Sequence, residues 1–262
     1  MSVLLDNLHL TIANCHAKLT YLHGVPAIQT VTLSLFRFDG FANRFWAFSM
    51  MGLARASMRN VPDLQFWKLC GTGTGEGFTP KPNTGVYAIL CVWPDRATAD
   101  RHLSTSQIFQ RYRARASEDW TIYLAPVSSR GAWSGKAPFQ TSSTLPDGPL
   151  AALTRASLKP SVMLRFWSRV PNISAAIGHD PNVAFKIGIG EIPLLHQVTF
   201  SIWPDTHTMA AFARNKSGPH AQAIKAVRDG QWFREELYAR FRILDDVGCW
   251  EGASPLKDLA IS

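Results

Sequence analysis

His220 is the residue of this 262-residue chain best placed to make a cofactor site. Ser217-Gly218-Pro219 breaks a helical pattern just before it, and His220, Ile224 and Val227 then recur on one apolar helix face. A neutral imidazole on such a face points to the interior. It either hydrogen-bonds backbone as a core residue or offers a free nitrogen as a ligand. The first half of the chain offers Gln107, Ile108 or Phe109 at the matching place, so a ligand role means one site per chain. Glycine supplies a second signal. Gly71, Gly73, Gly75 and Gly77 take alternate positions, and Gly188 and Gly190 repeat the spacing. In a strand this strips one face of side chains and lets a flat ligand reach the backbone. In a loop the same residues supply positive φ. A dinucleotide fingerprint is excluded, because no helix follows the run.

The elements that must position these residues are written twice. Trp93-Pro94-Asp95 closes one apolar run and Trp203-Pro204-Asp205 closes another. VTLSLFRF (31–38) is echoed by VMLRF (162–166). Trp67-Lys68-Leu69 before Gly75-Glu76 is echoed by Phe185-Lys186-Ile187 before Gly190-Glu191. Trp120 is answered by Trp232, and Trp133-Ser134-Gly135 by Trp250-Glu251-Gly252. The first copy predicts strands at 31–38, 64–70, 86–93 and 120–127 with helices at 41–58 and 96–117. The second predicts a short helix near 173–177, strands at 183–189 and 196–203, a helix over 208–227 and a last strand near 238–244.

That order is the ferredoxin-like unit. The expected fold is therefore α+β: tandem duplicated ferredoxin-like (βαββαβ) units forming a pseudo-dimeric α+β barrel, with an apolar ligand space between the sheets. Residues 1–30 form an N-terminal extension, 31–140 the first repeat, 141–160 a linker, 161–253 the second repeat and 254–262 a tail.

Composition narrows the function classes. With 46% hydrophobic residues the chain can build a shared core. No window of 18 apolar residues and no secretory leader is visible, so a cytoplasmic protein is expected. Cys15, Cys70, Cys91 and Cys249 lack CxxC spacing and read as free thiols of a reduced compartment. The net charge of +8 favours an anionic partner. Its densest cluster, Arg111-Tyr112-Arg113-Ala114-Arg115, is either a solvated helix face or a docking site for a membrane surface or an electron donor. Nucleic acid is not expected, since no signature of a nucleic-acid-binding motif accompanies the charge.

FWKLCGTGTGEGF (66–78), the two Trp-Pro-Asp motifs, EDWTIYLAPV (118–127) and QWFREELYARF (231–241) together resemble the spheroidene monooxygenases, acyclic carotenoid ketolases of purple bacteria. The resemblance runs from about Val31 to Gly252. It implies a heme-dependent enzyme, one heme per chain, that introduces a keto group at C2 of an acyclic carotenoid using O2 and reduced ferredoxin. The family is similar to dimeric α+β barrel heme proteins, in which a helix histidine holds the iron. That makes His220 the expected metal ligand, with His196 in reserve. Arg165, Arg37 and Arg234 then become candidate partners of the heme propionates, or else surface ion-pair residues. Gly73, Gly75, Gly188 and Gly190 become candidates for close approach to the cofactor. Phe45, Trp46, Phe66, Trp67, Phe166 and Trp167 would line a trough for the polyene, or serve as plain core. The expected partners are a lipophilic carotenoid and a ferredoxin-type donor, with peripheral membrane contact where that substrate resides. The alternative is a non-catalytic heme-binding or small-ligand-binding α+β barrel.

Overall fold

The computed structural model describes residues 28–75, 79–142, 148–168, 182–214 and 232–259, with the side chains of 212–214 excepted. TVTLSLFR, rich in β-branched and apolar residues, forms the almost wholly buried strand β1 (Thr30–Arg37). Gly40, at φ 72°, turns the chain into α1 (Phe41–Arg59). Then come β2 (Phe66–Gly73), β3 (Pro82–Trp93), α2 (Arg96–Thr105), α3 (Gln107–Arg113) and β4 (Glu118–Gly131). The remaining elements are β5 (Leu150–Leu158), a 3-10 turn (Pro160–Val162), α4 (Met163–Trp167), β6 (Phe185–Gly190), β7 (His196–Trp203), α5 (Thr206–Arg214) and β8 (Phe233–Gly248).

The eight strands close into one antiparallel barrel in the order β1-β3-β2-β6-β7-β5-β8-β4. Inward side chains such as Leu33, Leu90, Trp120, Leu153, Phe200 and Phe241 fill it. A second cluster, including Phe36, Met50, Ile89, Trp93, Phe109 and Tyr112, seals the outer face of the first half beneath α1, α2 and α3. Within residues 30–131 the strand order is β4-β1-β3-β2, and within 150–248 it is β8-β5-β7-β6, the same order. The halves meet along the long β4–β8 ladder and across a short seam between β2 and β6, Gly71↔Gly190 and Thr72↔Ile189.

Both Trp-Pro-Asp motifs do the same work. Trp93 and Trp203 end their strands buried, and the next carboxylate caps the following helix. Asp95 accepts from the Thr98 N–H and Asp205 from the Thr208 N–H, each at 2.7 Å. The two tryptophan-glycine motifs also form matching turns. Ser134 and Gly135 have φ of 55° and 73°, Glu251 and Gly252 of 58° and 82°. Each turn docks on an acid at the start of the other half's last strand. Gly252 donates its N–H to Glu118 at 2.8 Å, and Ser134 and Gly135 donate theirs to Glu235 at 2.9 and 2.7 Å.

Other expectations are corrected. Strand β5 falls inside the stretch 141–160 that the prolines mark as linker, while VMLRF (162–166) lies in the 3-10 turn and α4. Pro160, whose fixed φ suits a first helical turn, ends the strand there. The helix expected over 96–117 breaks at Ser106, whose backbone is extended (φ −72°, ψ 127°). Trp120 is the third residue of β4, whereas Trp232 precedes β8, so these two are not equivalent. Cys70 and Cys91 are buried free thiols and Cys249 a half-buried one; Cys15 lies outside the described residues. Among the described residues no helix is long and apolar enough to cross a membrane.

Candidate functional site

The two halves differ most on their outer faces. Counting along the ladders from Trp93 and Trp203, Leu69, Ile89, Cys91 and Tyr87 of the first half correspond to Gly188, Thr199, Ser201 and Gln197 of the second. Phe36 corresponds in the same way to Ala156. Five bulky or apolar positions have become small or polar ones. In the first half these residues are no more than 5% exposed. In the second, Gln197 and Thr199 are half-buried, while Gly188, Ser201 and Ala156 are buried. The result is a second-half outer face, called the shelf below, of smaller and more polar side chains, bordered at one edge by the buried Leu150, Trp203 and Met209. Removing side chains from one sheet face leaves room for a flat group against the backbone. The polar groups available on this face are backbone, the Thr199 and Ser201 hydroxyls and the Gln197 carboxamide.

Inside the barrel, one mouth is filled by charge. Lys68 donates to Glu191 at 2.7 Å and to the Ser134 hydroxyl at 2.6 Å, and the Trp133 indole donates to Glu191 at 2.6 Å. Arg155, only 2% exposed, pairs with Glu235 and lies 3.9 Å from Glu191. Its Nε has no hydrogen-bond partner. Burial pulls against ionisation of Glu235, but the Gly135 and Ser134 N–H groups and Arg155 outweigh it and hold the carboxyl below its ordinary range. The Cys70 thiol is pushed up, first by burial and then by Glu191.

The expected site residues are not brought to one place. His220 lies outside the described residues. His196 points into the charged mouth, Nδ1 3.6 Å from Glu191, and burial lowers its pKa against the raising effect of that carboxylate. Arg37 is committed to Glu118 at 2.9 Å and covers the Trp250 ring at 4.5 Å, which makes it an ion-pair residue. Arg165 on α4 and Arg234 on β8 are exposed. Gly73 and Arg37 both border a cleft of about 650 Å³ at the β2–β6 seam, with Phe185, Lys186 and Trp250. Gly75 turns at φ 59°, and Gly190 is required because a Cβ there would sit 2.2 Å from the His196 carbonyl. Gly188 alone lies on the shelf.

The aromatics separate too. Phe66 faces the barrel interior against Trp133, whereas Trp67 and Trp46 belong to the outer cluster, with Trp46 5.1 Å from Tyr112. Phe166 packs on Trp167 and Phe233, and Phe45 is 62% exposed. The six therefore form no single trough. Lys68, Glu191 and Glu235 lie inside the repeat and family motifs without being singled out there, and Arg155 lies in none. Their signal was a charge at an inward-facing strand position, as in LAALTRASL, where Arg155 shares parity with Ala151 and Leu153.

Comparison with known proteins decides the family. The chain is 52% identical over 232 residues to the spheroidene monooxygenase of Cereibacter sphaeroides, covering 88% of this chain and 72% of that one. It is 52% identical over 232 residues to that of Rhodobacter capsulatus, covering 87% and 96%. The chain belongs to the spheroidene monooxygenase family. The Rubrivivax gelatinosus spheroidene monooxygenase is 35% identical over 211 residues, covering 80% of this chain and 81% of that protein. No protein-family model matches the chain. Among solved structures, an aldoxime dehydratase in complex with butyraldoxime has a TM-score of 0.57 at 12% identity, covering 90% of this chain and 87% of that one. A second aldoxime dehydratase has 0.54 at 14%, covering 87% of each. At these identities the likeness concerns the fold, an α+β barrel.

Proposed function

We propose that this member of the spheroidene monooxygenase family is a carotenoid monooxygenase that introduces a keto group at C2 of an acyclic, spheroidene-type carotenoid. The observation that carries this reading is 52% identity over 232 residues to two spheroidene monooxygenases. Each round consumes one O2, two electrons and two protons, places one oxygen atom in a C–H bond and releases one water. Two rounds at one carbon give a geminal diol, which loses water to the ketone. Electrons come from a ferredoxin-type donor, for which the net charge of +8 is a suitable surface.

Heme, one per chain, is the cofactor in this proposal, and when bound it supplies the oxygen activation. The second-half shelf supports that assignment. At Gly188, beside Thr199, the sheet carries no side chain toward a planar group, and the buried Leu150, Trp203 and Met209 make one edge apolar. His220 supplies the iron ligand from the chain that follows α5. Arg234, on the same parity of β8 as Glu236 and Tyr238, and Arg165 are the cations left to meet propionates, since Arg37 is already paired. The shared strand order, matched caps and matched turns support descent of the halves from one duplicated ferredoxin-like unit. In that duplication the first half keeps a sealed outer face and the second opens its face to the ligand.

The test is conversion of spheroidene by the purified, hemin-loaded protein with reduced ferredoxin and O2, with the product read by absorption and mass. A mass gain of 14 for one keto group is expected, from two hydrogens lost and one oxygen gained. Failure with a range of acyclic carotenoids would remove the ketolase assignment.

A further inference from the structure

The surface of α1 is apolar on the side that faces away from the barrel. Ala47, Met50, Ala54 and Met58 bury the inner side. Phe41, Phe45 and Phe48 stand on the other at 86, 62 and 63% exposure, and Leu53 flanks them at 70%. The phenylalanines are spaced i, i+4, i+7, which places them in one line, and Phe41 and Phe45 stack at 6.2 Å. Arg44, Arg55 and Arg59 border or extend that line, all exposed, and α1 contains no acidic residue. Asp39, just before the helix, is 3.8 Å from Arg44. Arg115, from the neighbouring basic cluster, covers the Trp46 ring at 4.9 Å.

We propose that this face of α1 is the surface on which the protein docks onto an anionic lipid bilayer, with Phe41, Phe45 and Phe48 inserted at the headgroup level and Arg44, Arg55 and Arg59 against the lipid charges. Aromatic rings beside a basic edge, on a helix lying in the plane of the interface, are the features of peripheral membrane binding. A second copy of the chain is a poorer occupant. Three phenylalanines at these exposures present roughly 400 Å², half of the about 800 Å² each partner gives a stable interface. The like-charged arginines would also face each other across a two-fold axis. The docking surface does not depend on the heme or on the reaction, so its failure leaves the oxygenase reading standing.

The test is flotation of the full chain, without carotenoid, on vesicles of equal phosphatidylcholine and phosphatidylglycerol, with pure phosphatidylcholine as control. The wild type floats with the anionic vesicles and much less with the neutral ones. The variant Phe41→Ser/Phe45→Ser/Phe48→Ser, which alters only exposed positions, loses binding by about tenfold or more. Arg55→Gln/Arg59→Gln loses about tenfold, and binding of the wild type weakens in about 0.5 M salt. A wild type that stays unbound, or a triple serine variant that floats as the wild type does, overturns the proposal. So does a wild-type dimer that the triple variant dissociates, since a second copy would then own this face.

Discussion

At the scale of single residues, the charged mouth of the barrel has the clearest consequences. Glu191 accepts from Lys68 and Trp133 and faces Arg155 and His196, so Glu191→Gln takes from the largely buried Lys68 its carboxylate and leaves Arg155 with Glu235 alone. A loss of about 3 kcal/mol in unfolding free energy is expected by denaturant titration. A change below about 1 kcal/mol would mean the layer does not tie the two halves together. His196 gives a pH dependence whose sign is fixed. Burial holds its pKa below the ordinary value of 6.5, so the unfolded chain takes up the proton first as the pH falls. The neutral ring therefore contributes stability above pH 6.5, and that contribution fades as the pH drops through the lowered folded value. Thermal melting of His196→Gln between neutral and mildly acid pH should lose stability less steeply than the wild type. Of these residues only His196 was singled out in the sequence, as a reserve ligand, and the charged layer itself was not legible. An inward-facing arginine in LAALTRASL looks like any polar residue until its partners Glu191, Glu235 and Trp133 arrive from other parts of the chain.

At the scale of elements, most of the first half was legible and much of the second was not. TVTLSLFR and the Trp-Pro-Asp motifs carry their structure locally, through β-branched residues, a buried indole and an N-cap. Removing one such cap, Asp95→Ala, should cost about 1 kcal/mol and leave the barrel intact by circular dichroism. Strand β5 was missed because the prolines and glycine around it mark the stretch as linker, and its strand state comes from pairing with β7 and β8. The alternate glycines divided among three jobs that only tertiary structure separates: strand approach at Gly190, a turn at Gly75 and a missing side chain on the second-half outer face at Gly188. Gly190→Ala puts a Cβ 2.2 Å from the His196 carbonyl, at a seam of only two residue pairs. It should destabilise by about 1–3 kcal/mol, read as a lowered melting temperature.

At the scale of the whole molecule, one closed barrel carries two halves of the same strand order with different outer faces. The first is sealed by Leu69, Tyr87, Ile89 and Cys91; the second carries Gly188, Gln197, Thr199 and Ser201 in their places. The motifs of the sequence pointed to the family, and Trp-Pro-Asp and the tryptophan-glycine turns recur at matching places of the two halves. The shelf was illegible, because it is a difference between equivalent positions that only the ladder register defines. Its role as the heme face is the central claim, and it can be tested by giving the second half the side chain of the first. The measurement is hemin titration of the wild type and of Gly188→Leu, followed by the Soret band, with circular dichroism as the control for folding. The wild type should saturate at one heme per chain and the folded Gly188→Leu protein should lose the band. A folded Gly188→Leu protein that binds heme as the wild type does would contradict the account.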